Sequence, residues 1–258
     1  MFVCNDCRHD ARVLKEAKTL AEAGHEVGII AVLDKDTEPC EERDGFTILR
    51  VDTSLSRERS VPTEGMPPSP RGRGMTAIGR KLLDYLFQRP LGYIYDWAKG
   101  RTSGRLRVLL VKIYRPIAFF QYYRHAFRIV KTSPGDIYHC HDLYTLPLGY
   151  VAKRRYGGKL VYDAHELTTE LAYISRPEKA MWGMLERFVI HRADKVIATG
   201  SYRAKYLARK YKIVAPTVIL NCPPLSTTEM HNRTLRQKLG LEDDTVPVIL
   251  YQGVFIGG

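Results

Sequence analysis

The sequence predicts an α/β fold built on a mainly parallel, doubly wound sheet. Short apolar, β-prone runs alternate with amphipathic helical patterns along most of the 258 residues, the order that parallel strands and crossover helices produce. Two of the runs, residues 136–142 and 159–166, open directly into His and a carboxylate. Residues 143–158 between them have about the length of one crossover helix with its loops. We therefore expect these two strands to be neighbours in the sheet.

The first helix and its flanking strands are predicted near the N-terminus. Residues 11–23 predict a helix with one apolar face at i, i+3 and i+4 spacing, made up of Val13, Leu14, Ala17, Leu20 and Ala21. Asp10 is placed as its N-cap and Gly24 as the residue that stops it. The strands expected around this helix are residues 1–5, 27–33 and 46–51.

The middle of the chain has a different composition. Residues 53–75 are rich in Ser, Arg, Pro and Gly and predict a flexible loop, because so few apolar side chains cannot form a core. Residues 76–131 mix Lys and Arg with Leu, Tyr and Phe and predict a basic aromatic helical insert. We expect this insert to be broken at Pro90, Gly100, Gly104 and Pro116.

The alternation then resumes and completes a predicted N-terminal domain of residues 1–224. The strands expected here are residues 137–140, 160–163, 196–199 and 218–220. The helices expected are residues 144–155, 178–192 and 202–210, the second with Trp182, Leu185 and Val189 facing inward. Residues 225–258 then predict a short helix, an apolar strand at 248–251 and a glycine loop. Because no helix follows to cover that strand, we interpret it as the start of a second doubly wound domain, truncated, and the chain as a fragment.

Charge points to an anionic partner. The chain has 40 Lys and Arg against 28 Asp and Glu, a net charge of +12, which suggests nucleic acid, a phosphorylated ligand or an acidic membrane face. No RNA-recognition signature or zinc-finger spacing accompanies the basic residues, so we favour phosphate or lipid and predict no nucleic acid. An amphipathic basic helix within residues 81–128 would bind an anionic bilayer; alternatively these helices cover the sheet, as we expect for residues 127–131.

Cysteine usage and the termini suggest a cytoplasmic protein. The five cysteines are scattered and odd in number, which fits a reducing compartment better than a disulfide framework. Cys4 and Cys7 form a C-x-x-C without a second ligand pair, so we interpret them as strand-end residues and predict no metal. No signal peptide and no run of about 18 apolar residues is visible. We expect the protein in the cytoplasm, peripheral on the inner face of the membrane.

The candidate site lies where the two His-bearing strands end. Ligands of open parallel sheets bind in the crevice outside the carboxyl ends of the strands. His165 ends the second strand, with Glu166 beside it to orient it or balance its charge, and His141 and Asp142 end the first. We assign His139, two residues before His141, to packing on the opposite face of the sheet.

The turn before the first helix excludes a dinucleotide-binding enzyme. Such enzymes carry G-x-G-x-x-G there, whereas residues 5–12 contain no glycine. Arg8 and Arg12 flank a helix N-terminus, which is a suitable place for a phosphate or a polar acceptor. For Asp10, capping alone and a ligand contact both remain open.

Taken together, six stretches resemble the family 4 glycosyltransferases of the GT-B architecture. They are HDARVLKEA at 9–17, AGHEV at 23–27, DIYHCHD at 136–142, LVYDAHE at 160–166, RADKVI at 192–197 and VILYQG at 248–253. The resemblance implies two Rossmann-like domains with the active site between them. It also implies that the N-terminal domain binds the acceptor and the other a nucleotide-sugar, with retention at the anomeric carbon. We predict no cofactor and no metal.

The resemblance also assigns site residues. It places His165 against the donor sugar near the reacting centre, as the catalytic residue. The glycine loop, with Gly253, Gly257 and Gly258, would lie against the donor diphosphate. Independently of the resemblance, their positions at the strand ends and at the helix N-terminus predict that five residues bind substrate: Asp10, Arg12, His141, Asp142 and Glu166.

Two departures from the family pattern limit what the chain can do alone. The first loop lacks the glycines that many relatives carry, and the paired glutamates and nucleotide pocket of the second domain are absent. We therefore expect the fragment to be inactive alone, and the whole enzyme to act in surface polysaccharide or glycolipid synthesis. The alternatives are a nucleotide-sugar epimerase of the same architecture and a non-catalytic acceptor- or membrane-binding module.

Overall fold

The computed structural model describes residues 1–53, 104–172, 174–222, 240 and 247. The chain divides into two compact units, Met1–Asn221 and Cys222–Gly258, and the helices and strands described below lie in the first. The helices are α1 (Ala11–Glu22), α2 (Gly104–Thr132), α3 (Leu146–Tyr156), α4 (Arg176–Ile190) and α5 (Ser201–Tyr211). The strands are β1 (Gly28–Val32), β2 (Cys40–Arg43), β3 (Phe46–Val51), β4 (Ile137–His141), β5 (Lys159–Ala164), β6 (Lys195–Ala198) and β7 (Thr217–Val218).

The strands form a mainly parallel arrangement, as predicted. One set has the order β1-β3-β2 and the other β4-β5-β6-β7, and every pair is parallel except β2 with β3. The N-terminal segment joins the two sets, because Phe2 makes parallel bridges to Ile30 and to Cys140. The predicted first strand, residues 1–5, is present only as these isolated bridges. The α/β class is confirmed.

Helices cover both faces, which makes the sheet doubly wound. Ile29 of β1 packs with Val13 of α1, whereas the next residue, Ile30, packs with Tyr122 of α2 in the larger core. Alternate residues of a strand point to opposite faces, so α1 lies on one side and α2 on the other. Residues of α3, α4 and α5 belong to the same core as α2 and therefore complete the layer opposite α1.

The first helix follows its predicted signals. The Val13 N–H donates to Asp10 Oδ1 at 3.3 Å, so the N-cap is confirmed. Gly24 adopts φ +87° after the helix ends, a conformation that glycine reaches without steric penalty.

Helix α2 corrects one prediction and confirms another. The expected break at Pro116 is wrong, because α2 runs without interruption from Gly104 to Thr132. Proline removes only one backbone donor, and packing of the following turns, with Tyr122, Ala126 and Val130 buried at four-residue spacing, compensates for it. The packing expected for residues 127–131 is confirmed. None of the helices described is long and apolar enough to cross a membrane.

The hairpin of β2 and β3 was missed by sequence reasoning. Asp44 and Gly45 connect the strands with φ +48° and +83°, which are the values of a two-residue turn that favours Asp-Gly. The signal was present in the sequence but was overlooked because Cys40–Arg43 is polar. The expected loop of 53–75 and the breaks at Pro90 and Gly100 lie outside the described residues, as do the short helix and strand expected within 225–258.

Two glycines in helices should respond oppositely to alanine. A Cβ at Gly149 in α3 would clash with Cys140 Sγ and lie 2.8 Å from Leu160 Cδ1, whereas one at Gly183 in α4 would meet only Thr169 Cγ2 at 3.8 Å. We expect Gly149→Ala to lower the free energy of unfolding by about 1–3 kcal/mol through overpacking. Gly183→Ala, the matched control, should raise it by up to about 1 kcal/mol because alanine favours helix. Urea denaturation measures both; a stabilised Gly149→Ala would show that the β4–α3 contact is looser than described.

Candidate functional site

The side chains of the candidate site converge on the α1 side of the sheet, at the carboxyl ends of β4 and β5. The rings of His139 and His141 are stacked, with centroids 4.4 Å apart and planes 19° from parallel. The expectation that His139 faces the opposite side is therefore wrong. Residues two apart on a strand share a face, so β4 presents both rings to α1.

A buried ion pair connects α1 to β5. Arg12 Nη2 lies 2.7 Å from Asp163 Oδ2, and Arg12 Nε donates to the same oxygen at 3.0 Å. Arg12 is 4% exposed and the Asp163 side chain 0%. The remaining guanidinium nitrogen donates to the Ile219 carbonyl at 2.9 Å. Three distant parts of the chain therefore meet at one guanidinium group.

Two carboxylates surround His165. Its Nε2 lies 3.3 Å from Asp163 Oδ2 and 3.1 Å from His141 Nδ1. Its backbone N–H donates to Asp142 Oδ1 at 3.1 Å, while its Nδ1 lies 3.7 Å from Asp142 Oδ2, longer than a hydrogen bond. Nε2 therefore contacts Asp163 and His141 within the domain, and Nδ1 is the ring nitrogen left for a ligand.

The backbone around His165 is also fixed. Its carbonyl accepts hydrogen bonds from Thr199 Oγ1 at 3.1 Å and Arg203 Nη1 at 2.7 Å. Asp142 adopts φ +64°, an uncommon conformation for a residue with a side chain, and its N–H donates to the Asp163 carbonyl at 2.9 Å. The crossing from β4 into its loop is thereby locked beside His165.

A comparison with models of protein families identifies the family of this chain. Residues 10–222 match the model of the "Glycosyl transferase 4-like domain". The chain belongs to this family. The resemblance found from six short stretches is thereby confirmed at the level of the family.

Solved structures and curated proteins add little to this family assignment. Sucrose-phosphate synthase from Thermosynechococcus elongatus is 13% identical with a TM-score of 0.48, covering 81% of this chain and 41% of that one. A second structure of that synthase is 12% identical with a TM-score of 0.47, covering 93% of each chain. No curated protein matches the chain. The chain thus spans less than half of the first synthase chain.

Charge in this glycosyltransferase domain is distributed unevenly over the site. Burial opposes the charged form of His165, but the hydrogen bond to Asp163 and the charges of Asp142 and Asp163 outweigh it and raise the His165 pKa. Burial lowers the pKa of His139 to about 4 and that of His141 well below its ordinary value. His165 is therefore the imidazole of the three that is most readily protonated, and His141 is neutral and can accept a hydrogen bond from it.

The carboxylates of the site also differ from one another in pKa. Burial opposes ionisation of Asp163, but hydrogen bonds from His165 and Arg12 lower its pKa, so it stays charged. Burial raises the pKa of Asp142 to about 6, against the opposing charge of His165. Burial and the neighbouring Asp163 charge raise the pKa of Glu16 to about 7.

One group of donors in the described chain could hold a metal ion. Glu16, His139, His141 and Asp163 each offer a ligand atom, all within 4.8 Å of one another. Arg12 already supplies positive charge there, since its Nε also lies 3.2 Å from Glu16 Oε1. The absence of a metal stays a prediction.

The structure brings most of the predicted site residues together. His141, Asp142 and His165 are in contact, and Arg12 reaches His165 through Asp163. Asp10 accepts from Asn5 Nδ2 at 2.8 Å in addition to capping α1. Their substrate-binding roles stay predictions.

Glu166 and the glycine loop are different cases. Glu166 is exposed, and the carboxylates found beside the His165 ring are those of Asp142 and Asp163, so substrate binding by Glu166 also stays a prediction. Gly253, Gly257 and Gly258 lie outside the described residues.

Sequence reasoning missed Glu16, Asp163 and the part played by His139. The available signals were spacings: Glu16 follows Arg12 by four residues on α1, and Asp163 precedes His165 by two on β5. These spacings place each pair on one face of its helix or strand.

Glu16 should make stability depend on pH. Its pKa is raised from 4.5 to about 7, so the folded chain holds its proton more tightly and its contribution to stability falls as pH rises through this window. The free energy of unfolding of Glu16→Gln minus that of wild type should therefore increase by about 1–2 kcal/mol from about pH 5 to about pH 8. Urea denaturation at both pH values measures this. The exposed Glu22→Gln on the same helix is the control; an equal trend in both variants would contradict the prediction.

Proposed function

We propose that residues 1–221 are the acceptor-side domain of a retaining glycosyltransferase that uses a nucleotide-sugar donor. Family membership supports sugar transfer in general. The observation that carries the rest is the imidazole of His165, held by Asp163 and His141 at the edge of the sheet where ligands bind.

The proposed role of His165 follows from its two nitrogens. Nε2 is held by Asp163 and His141, so the ring cannot turn without breaking these contacts. The Nδ1–H is left to donate to an oxygen of the donor sugar. A hydrogen-bond donor that is positioned in advance stabilises negative charge on oxygens of the sugar or the leaving group, without reorganisation during the reaction.

Asp142 and Asp163 act as positioning residues in this proposal. Asp163 keeps the imidazole charged and is itself kept charged by Arg12. The Asp142 side chain is 35% exposed and can accept a sugar hydroxyl while its other oxygen fixes the His165 backbone. Asp10 and the N-terminus of α1 supply polar groups for the acceptor.

The remaining part of the proposal concerns the whole enzyme. The donor diphosphate binds a second domain that begins within residues 225–258, at Gly253, Gly257 and Gly258, so the chain as printed does not transfer sugar alone. The acceptor is a glycan or a glycolipid of a surface polysaccharide pathway, and no metal or cofactor takes part.

The experiment compares residues 1–258 with the same chain joined to a complete donor-binding domain. Each is incubated with a panel of nucleotide-sugars, with and without lipid-linked and glycan acceptors, and released nucleoside diphosphate is measured. We expect acceptor-dependent release from the longer protein and none from residues 1–258. Transfer by the short chain would refute the two-domain requirement. Conversion of the nucleotide-sugar without an acceptor would replace the proposal by an epimerase.

A further inference from the structure

The helical layer opposite α1 is strongly basic. Helices α3, α4 and α5 and the part of α2 whose side chains are described, residues 117–132, together contain 13 Lys and Arg residues but only two acidic ones, Glu178 and Glu186. Glu186 is buried, and its carboxylate accepts hydrogen bonds from Tyr162 and Tyr211 at 2.8 and 2.5 Å. Helix α1, across the sheet, has three basic and two acidic residues. Positive charge is therefore concentrated on one side of the domain.

Two acidic residues in the loops beside this layer, Glu170 and Asp194, are already paired. Glu170 lies 2.8 Å from Lys210 Nζ, and Asp194 lies 2.6 Å from Lys153 Nζ. Neither ion pair involves Arg154, Arg155 or Arg187, which are exposed. These guanidinium groups are placed to meet an external anion.

The same layer exposes large apolar side chains. Val151 of α3 is 47% exposed, and Met184 and Phe188 of α4 are 69% and 51% exposed. The Phe188 ring meets Tyr150 of α3 edge-on at 5.7 Å, so the two helices present one continuous area. We name it the α3–α4 surface, consisting of Val151, Arg154, Arg155, Met184, Arg187 and Phe188. Helix α1 contributes none of the exposed large hydrophobic side chains found among the described residues.

A cavity opens at one edge of this surface. It has a volume of about 400 Å³ and lies between α4, α5 and the short 3₁₀ turn Thr168–Glu170. Lys179, Arg187 and Lys210 line it together with Met184 and with Glu170, which pairs with Lys210. The cations of Lys179 and Arg187 beside an exposed methionine suit a phosphate group that is attached to an apolar chain.

We infer that the α3–α4 surface docks on an anionic lipid membrane, with Met184 and Phe188 in the interface and a lipid phosphate in the cavity. Membrane binding combines buried apolar area with attraction between basic residues and anionic lipids, and both are present here. Nucleic acid would use the cations, but it gains little from Val151 and Met184, which cannot stack on bases as aromatic rings do. This surface differs from residues 81–128, where the sequence suggested membrane contact. The inference does not depend on the proposed sugar transfer.

Vesicle binding by residues 1–258 tests the inference. The protein is sedimented with phosphatidylcholine vesicles with and without phosphatidylglycerol, at low and high salt. We expect binding only to the anionic vesicles, weakened by salt. Equal binding to both compositions, or binding to neither, would overturn the inference.

Three double variants separate a membrane from other polyanions. Arg154→Glu/Arg155→Glu should lower binding to anionic vesicles at least about tenfold and should also lower binding to single-stranded DNA. Met184→Ser/Phe188→Ser should lower vesicle binding about tenfold or more and leave DNA binding unchanged. Lys18→Glu/Lys35→Glu, with exposed positions off the layer, makes the same charge change and should alter vesicle binding least. Circular dichroism confirms folding of each variant. Wild-type vesicle binding by the apolar variant, or equal weakening by the control, would overturn the inference.

Discussion

Replacing Asp163 by alanine should lower the free energy of unfolding by about 3–5 kcal/mol. The substitution leaves the Arg12 guanidinium, 4% exposed, without its carboxylate partner. An unpaired buried charge is strongly destabilising, whereas a surface ion pair contributes little. Urea denaturation followed by circular dichroism measures the loss. A loss below about 1 kcal/mol would mean that Arg12 finds water when Asp163 is removed.

Matched variants show whether the pair itself is responsible. Arg12→Ala should destabilise the protein to a similar extent, and the double variant should be more stable than the sum of the two losses predicts, because neither charge is then left alone. Lys18→Ala removes one side of the exposed Lys18–Glu22 pair on the same helix and should change stability by less than about 0.5 kcal/mol.

The same pair should control the proton on His165. Asp163→Asn preserves the shape of the side chain but removes the charge that raises the His165 pKa. We expect the His165 pKa in this variant to fall, and NMR titration of the ring protons measures it. An unchanged pKa would assign the effect to Asp142 alone.

His165→Ala should lower kcat/KM of sugar transfer about a hundredfold or more, the usual loss when a positioned donor to a developing charge is removed. The measurement uses the chain joined to a complete donor-binding domain. Since the His165 side chain is 16% exposed and contacts Asp163 and His141, we expect its removal to destabilise the protein by about 1–2 kcal/mol. A large loss of rate with little loss of stability would separate a chemical role from a structural one.

Two further variants make this result interpretable. His191→Ala removes an exposed histidine at the end of α4, away from the strand ends, and should transfer sugar like wild type. His165→Gln can restore one hydrogen-bond donor without the positive charge, so partial activity would assign the loss to charge as well as to donation. Wild-type rates in His165→Ala would remove His165 from the catalytic site.

Local patterns predicted most of the fold, and long-range contacts account for what they missed. Helix α1, with its N-cap Asp10 and stop at Gly24, is encoded within about a dozen residues, and so are α3, α4 and α5. The continuity of α2 through Pro116 depends on burial of Tyr122, Ala126 and Val130 against other elements, which local propensity does not contain. The β2–β3 hairpin was within reach, since Asp44-Gly45 is a local signal.

The sequence predicted where the site lies in the sheet but not which side chains pair with one another there. His141, Asp142 and His165 follow from the rule that ligands bind where parallel strands end. Arg12 and Asp163 are 151 residues apart in the chain, and no local pattern indicates that one guanidinium neutralises that carboxylate. His139 was assigned to the wrong face of the sheet because strand periodicity was misapplied: residues two apart in a strand lie on the same face.

The position of the N-terminal segment has a consequence for the order of folding. Phe2 bridges both Ile30 and Cys140, so a segment made before both of its partners lies between them in the finished sheet. During synthesis, α1, β1 and the β2–β3 hairpin can form their own small core early. One edge of the segment then stays open until residues beyond Cys140 leave the ribosome. Because contacts so distant in sequence form slowly and leave strand edges exposed, closing of the sheet around Phe2 is the step at which nascent chains of this domain are most prone to aggregate.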